Sequence, residues 1–81
     1  MYYTYIIKSK TKKYYYIGST DNLEKRIKEH NQGKTKSIKH LVPFELIYYE
    51  AYIVKSLARK REIELKKNSF KKRELLQRIE E

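Results

Sequence analysis

Five side chains of this sequence, Tyr5, Tyr16, Arg26, His30 and Glu62, are of types that move protons or hold charge. Phenolic hydroxyls and an imidazole shuttle protons, a guanidinium grips a phosphate, and a carboxylate holds a hard cation. Gathered into one patch, they form an inventory for phosphodiester hydrolysis. One carboxylate suffices for Mg²⁺, which keeps several waters and accepts phosphate oxygens as ligands. Each residue also has a plain structural reading. Arg26 snorkels from a helix edge, His30 is a satisfied histidine at the core's edge, and Glu62 pairs with Lys66 four residues on. The tyrosines pair across strands, each pair worth about 0.2–1 kcal/mol. Spacing alone leaves both readings standing. The sequence has no Ser-His-Asp set, phosphate-cradling glycine loop or zinc spacing, and His30 and His40 are too isolated to form a histidine metal site by themselves.

The elements that must position these side chains are legible in outline. Tyr2 to Lys8 and Lys13 to Ser19 are aromatic and β-branched runs joined by a short polar stretch, which predicts a hairpin. With the turn centred on Lys10-Thr11, Tyr5 faces Tyr16 and Ile6 faces Tyr15. Alternation then puts Tyr3, Tyr5, Tyr14 and Tyr16 on one face, with Gly18 at its end, leaving room for a close approach to the backbone. Asp21 with Glu24 three residues on reads as an acidic capping box opening a helix from Asn22 to Gln32. Leu23, Arg26, Ile27 and His30 share one face of it, and Gly33 suits its left-handed end. A basic loop follows, in which Lys34, Lys36, Lys39 and His40 touch phosphates or are simply solvated. Phe44 to Ile53 is the most apolar run and predicts a strand covered on both sides. Ser56 caps a helix to about Lys67 with Leu57, Ala58 and Leu65 as its buried stripe and Glu62 at the stripe's edge. Ser69 caps a last helix whose apolar face is Leu75, Leu76 and Ile79. The order is β-β-α-β-α-α, an α+β domain with a small three-stranded antiparallel sheet flanked by helices.

The chain of 81 residues is short enough to form one domain, residues 1–81, with a small core, and has no cysteine for a disulfide or thiolate site. Its 20 Lys and Arg against 10 Asp and Glu give a net charge of +10, which favours a polyanionic partner, although a lysine-rich surface from an AT-rich or thermophilic source gives the same balance. No apolar run approaches a membrane span and no signal-peptide pattern follows Met1, so the expected setting is cytoplasmic, away from membranes.

Tyr3-Thr4-Tyr5, then Tyr16-Ile17-Gly18, then Arg26 with His30, and later Ala58, Arg61, Glu62 and Lys66 along one helix resemble the GIY-YIG nuclease family. The likeness is to its small single-domain members, relatives of the catalytic domain in the nuclease subunit of bacterial excision repair, and covers residues 2 to 76. It implies a metal-dependent endonuclease acting on DNA, with RNA left open, in repair or processing, using Mg²⁺ or Mn²⁺. By that resemblance Tyr5 is the general base or its helper, Tyr16 positions the nucleophile, and Gly18 admits the substrate or a helix. Arg26 stabilises the attacked phosphate, His30 assists proton transfer, Glu62 binds the metal and Lys66 contacts the backbone phosphate. The first motif departs from the family by reading Tyr-Thr-Tyr. The late asparagine of many nuclease members has only Asn68 as a counterpart, too near Glu62 in sequence for a match. The partners it leaves open are a second copy, since a homodimer would let so small a nuclease cut both strands, or a larger repair complex. Two rivals stand beside this reading: a non-catalytic nucleic-acid-binding module on the same fold, and a domain that docks an acidic protein.

Overall fold

The structure, a computed structural model, describes residues 1–80. Its elements are β1 (Tyr2–Ser9), β2 (Tyr15–Thr20), α1 (Leu23–Asn31), a short 3-10 helix (Lys36–Leu41), β3 (Phe44–Tyr52), α2 (Lys55–Lys67) and α3 (Ser69–Ile79). The predicted order holds. The three strands form one antiparallel sheet in the order β2-β1-β3. Helices cover both faces of its centre. Tyr5 and Ile7 of β1 meet Ile38, Leu41, Phe44, Leu23 and Ile27 on one side. Ile6 and Ile17 meet Leu65, Leu75 and Leu76 of α2 and α3 on the other.

The strand covered on both sides is therefore β1, in which Thr4 to Ile7 are all buried. β3 was expected to hold that place, but it is an outer strand with Leu46, Tyr49 and Ala51 exposed. Its apolar look reflects burial of Phe44 together with partial cover of Ile47 and Tyr48. A local run cannot reveal which strand the sheet will place centrally.

The hairpin register is also displaced from the expected one. Tyr5 faces Gly18 and Ile6 faces Ile17, not Tyr16 and Tyr15. The cause is Ser9, whose hydroxyl accepts from the backbone N–H groups of Thr11 and Lys12 while its own N–H bonds the Tyr14 carbonyl. These bonds organise a longer loop, so β2 starts at Tyr15 and Tyr14 leaves the tyrosine face. The displacement is two residues, so Tyr3, Tyr5 and Tyr16 keep their common face.

Three helix starts also differ from expectation. Asn22, not Asp21, caps α1 by accepting from the Lys25 N–H. α2 begins at Lys55 after Val54, with no side-chain cap from Ser56. Asn68, not Ser69, caps α3 by accepting from the Lys71 N–H. Gly33 takes φ +75° after α1, as its position predicted. The basic stretch beyond it is partly helical and anchors itself by burying Ile38 and Leu41. On α2, Ala58 and Leu65 are buried as expected, but Leu57 is 48% exposed and Glu62 takes the buried position.

Three contacts lock the helices to the sheet. The Thr4 hydroxyl donates to the Ala58 carbonyl at 2.7 Å, where alanine's small side chain lets α2 lie close to β1. Arg61 grips Glu50 of β3 at 3.0–3.3 Å, fixing the residue next to Glu62. The Asn31 side chain pairs with both backbone groups of Phe44, holding the end of α1 beside His30.

Candidate active site

Gly18 is where the strand pairing becomes chemistry. It lies opposite Tyr5, and a methyl group there would sit 2.5 Å from the Tyr5 hydroxyl and 2.7 Å from the adjoining ring carbon. The bare strand lets the Tyr5 ring lie across β2, carrying its hydroxyl toward the sheet's open edge. There the hydroxyl meets His30 Nε2 at 2.8 Å. His30 Nδ1 meets the Thr35 hydroxyl at 3.2 Å, and the Tyr16 ring stands edge-on to the imidazole at 4.9 Å.

Burial keeps this pair uncharged. It pushes the Tyr5 phenol up to about 12. It draws His30 down to about 4, with the nearby Arg26 charge adding to the effect. A neutral imidazole has one donor and one acceptor nitrogen. If Nδ1 carries the proton, it donates to Thr35, and Nε2 accepts from Tyr5.

The depressed His30 value has a measurable consequence. As pH falls below about 6.5, the unfolded chain takes up a proton that the native His30 refuses. Stability is therefore full above that value and is lost progressively down to about pH 4, by about 3 kcal/mol in total. Urea denaturation across pH 7 to 4 should show this slope, and His30→Gln should flatten it. Glu62 and the other depressed carboxylates act below about pH 4.5, so the two contributions separate.

The second half of the site comes from α2, on the other face of the sheet. Glu62 is 4% exposed. One carboxylate oxygen accepts from the Ser19 hydroxyl at 2.7 Å and Arg59 at 3.0 Å, and the other from Lys66 at 2.7 Å. Burial would raise this carboxyl, but Lys66, Ser19 and Arg59 outweigh it and hold Glu62 below the ordinary carboxylate range. The Lys66 ammonium also stands 5.7 Å from the centre of the Tyr16 ring. Ser19 and Lys66 thus tie Glu62 to the same outer strand that carries Tyr16 and Gly18, and its charge is felt at the Tyr5 phenol. The site wraps the open edge of β2.

Arg26 lies beside Tyr5 on α1, partly exposed, and its guanidinium bonds Glu29 at 3.1 Å. The structure brings Tyr5, Tyr16, Gly18, Arg26, His30, Glu62 and Lys66 into one neighbourhood. Lys34, Lys36 and Lys39 stand apart, exposed on the segment after α1. Asn68, whose side chain caps α3, has no part in the cluster.

Sequence reasoning overlooked Ser19, Thr35 and Arg59. Arg59 was open to notice, three residues before Glu62 on a helix. Ser19 finds its partner across the fold and has no local signal, whereas Thr35 reaches His30 from just beyond the end of α1, through a turn that helical spacing does not describe.

A family model described as the GIY-YIG catalytic domain matches residues 1–75. The chain belongs to the GIY-YIG family. That family is one of nucleases, whose substrate is nucleic acid and whose members generally use divalent metal ions. Among relatives of this GIY-YIG chain, the UPF0213 protein SH2523 of Staphylococcus haemolyticus is 42% identical over 81 residues, covering 99% of this chain and 95% of the relative. The UPF0213 protein YazA of Bacillus subtilis is 40% identical over 75 residues, covering 91% and 75%. The solution NMR structure of the UPF0213 protein BH0048 from Bacillus halodurans shares 36% identity at a TM-score of 0.56, covering 94% of this chain and 82% of that one. This GIY-YIG domain has the family's α+β fold, and no helix among its described residues is long and apolar enough to cross a membrane.

Proposed function

We propose that this chain is a metal-dependent endonuclease that hydrolyses DNA phosphodiester bonds, in DNA repair or processing. The observation that carries the proposal is the hydrogen-bonded Tyr5–His30 pair beside Arg26, facing across β2 an ionised carboxylate at Glu62.

A divalent cation suits this donor set. Glu62 is ionised, and its partners Lys66 and Arg59 are 45% and 64% exposed, so both can turn to solvent. A single carboxylate is enough for a Mg²⁺ or Mn²⁺ ion, which keeps most of its waters and takes phosphate oxygens as further ligands. Glu62 would hold such an ion, which would supply positive charge to stabilise the phosphate undergoing attack.

The remaining steps belong to the protein's own groups. Arg26 pairs with a non-bridging phosphate oxygen and stabilises the charge that builds there during attack. Tyr5, with a phenol near 12, is a poor base alone. Its O–H bond to His30 Nε2 provides a route out: the phenol passes its proton to the imidazole as its oxygen takes one from the attacking water. Burial is the main cause of the depressed His30 value, and a phosphate on Arg26 would offset the smaller contribution from the Arg26 charge, which favours the imidazole as acceptor. Tyr16 packs on the imidazole and fixes its orientation.

Purified protein should nick supercoiled plasmid with Mg²⁺ or Mn²⁺, and EDTA should stop it. Tyr5→Phe should slow nicking about 10²-fold, the scale of general base assistance, while duplex affinity stays unchanged. Cleavage by Tyr5→Phe at the wild-type rate removes the phenol from the mechanism. Metal-independent binding without cleavage establishes instead the non-catalytic module.

A further inference from the structure

A groove of about 850 Å³ lies between the start of β2 and α3, away from the tyrosine–histidine pair. Lys13 stands on one wall, Lys72 and Arg73 on the other, with Tyr15 and Leu76 also lining it. None of these three cations makes an ion pair among the described residues. The acid in the groove, Glu80, is already engaged by the Lys8 ammonium at 2.8 Å and by the Tyr15 hydroxyl. What the groove offers a visitor is thus three uncommitted positive charges beside an aromatic and an aliphatic surface.

Its placement relative to Glu62 is the second observation. Tyr15 and Ser19 point to the same face of β2, since strand residues alternate. Ser19 bonds the Glu62 carboxylate. Four residues of strand at about 3.3 Å each put the groove about 13 Å from that contact, along the same side of the same strand. Phosphates of one duplex strand rise about 3.4 Å each along the axis but also wind around it, so a straight separation of about 13 Å spans about two nucleotides.

We infer that this groove is a second nucleic-acid contact, which holds the phosphate backbone about two nucleotides from the bond cleaved at the Tyr5–Glu62 site. The inference rests on the nuclease reading above and extends it. The groove supplies grip without sequence readout: lysine and arginine meet phosphates, while Tyr15 and Leu76 pack on sugars. It anchors the flank of a substrate for a domain that is otherwise small.

The test is binding of a fluorescein-labelled 20-base-pair duplex by the full chain in EDTA, across a range of salt. A triple variant, Lys13→Gln, Lys72→Gln and Arg73→Gln, is compared with a charge-matched control, Lys28→Gln, Lys60→Gln and Lys67→Gln. Losing three phosphate contacts should weaken binding about 100-fold at 0.1 M salt and reduce the log–log salt slope by about 2.7. The control should lose less than about 10-fold, and thermal melts should show all three proteins folded. Equal losses in the two variants overturn the groove and leave net charge as the cause. A poly-glutamate peptide that binds the wild type as tightly as the duplex overturns it in favour of an acidic protein partner. Failure of the wild type to bind DNA overturns the nuclease reading and the groove with it, whereas binding that the groove variant retains overturns the groove alone.

Discussion

Glu62→Gln is expected to lower plasmid nicking by about 10³-fold or more while leaving the domain folded. Glutamine keeps the shape and a carbonyl oxygen for the Ser19 hydroxyl and Arg59. It removes the charge that Lys66, Ser19 and Arg59 maintain in a nearly buried position. A hard cation binds an amide oxygen far less well than a carboxylate, and losing electrostatic stabilisation at a reacting phosphate costs several kcal/mol. The structural reading of Glu62, an ion pair with Lys66, makes a different prediction. Under it, Lys66→Gln is as harmful as Glu62→Gln and metal is irrelevant. A readout independent of turnover separates them: Mn²⁺ should raise the melting temperature of the wild type and not of Glu62→Gln, because a ligand that binds only the native state stabilises it. Wild-type cleavage rates in Glu62→Gln would falsify the assignment.

Gly18→Ala is expected to destabilise the domain by about 1–3 kcal/mol and to disturb the Tyr5–His30 contact. In an ordinary strand the same change is favourable, because alanine loses less backbone freedom than glycine, by roughly 0.5–1 kcal/mol. Here the new carbon would lie 2.5 Å from the Tyr5 hydroxyl, 2.7 Å from the ring carbon that bears it and 3.0 Å from a second ring carbon. Tyr5 is 1% exposed, so its ring has nowhere to retreat. The sign therefore turns on the neighbour, and a double-mutant cycle exposes it. In a Tyr5→Leu background the clash disappears, and Gly18→Ala should cost little or become stabilising. Additive effects in denaturant titrations of the four proteins would mean that the two residues do not press on one another.

These two residues also mark how far the sequence could be read. Alternation placed Tyr3, Tyr5 and Tyr16 on a common face, because period-two geometry is local and survives a two-residue slip. The pairing of Tyr5 with Gly18 was not legible, since it depends on Ser9 folding its hydroxyl back into the loop. Helical spacing put Arg26 and His30 on one face and Glu62 within reach of Lys66, and both hold. Full burial of Glu62 in place of Leu57 was not legible. It follows from how Thr4 and Arg61 seat α2 on the sheet, and those contacts join residues 54 and 11 positions apart. The cap of α1 was misplaced by one position because Asp21 and Asn22 are adjacent and chemically alike, so only the geometry of the turn chooses between them.

The position of β1 bears on how the domain is made. Ser9 pairs with Phe44 and Tyr2 with Tyr52, so the first strand synthesised is completed only after dozens more residues exist. Its doubly apolar stretch, Thr4 to Ile7, then waits still longer for Leu65 and Leu75 to close over Ile6. During translation, a fragment ending before Phe44 carries that stretch with one partner strand and one sheltered side. Such a fragment is a sticky intermediate for other chains or a chaperone, and the carboxylate at Glu62 arrives after the sheet is already defined. A ribosome-stalled product lacking α2 should therefore aggregate and show no nuclease activity.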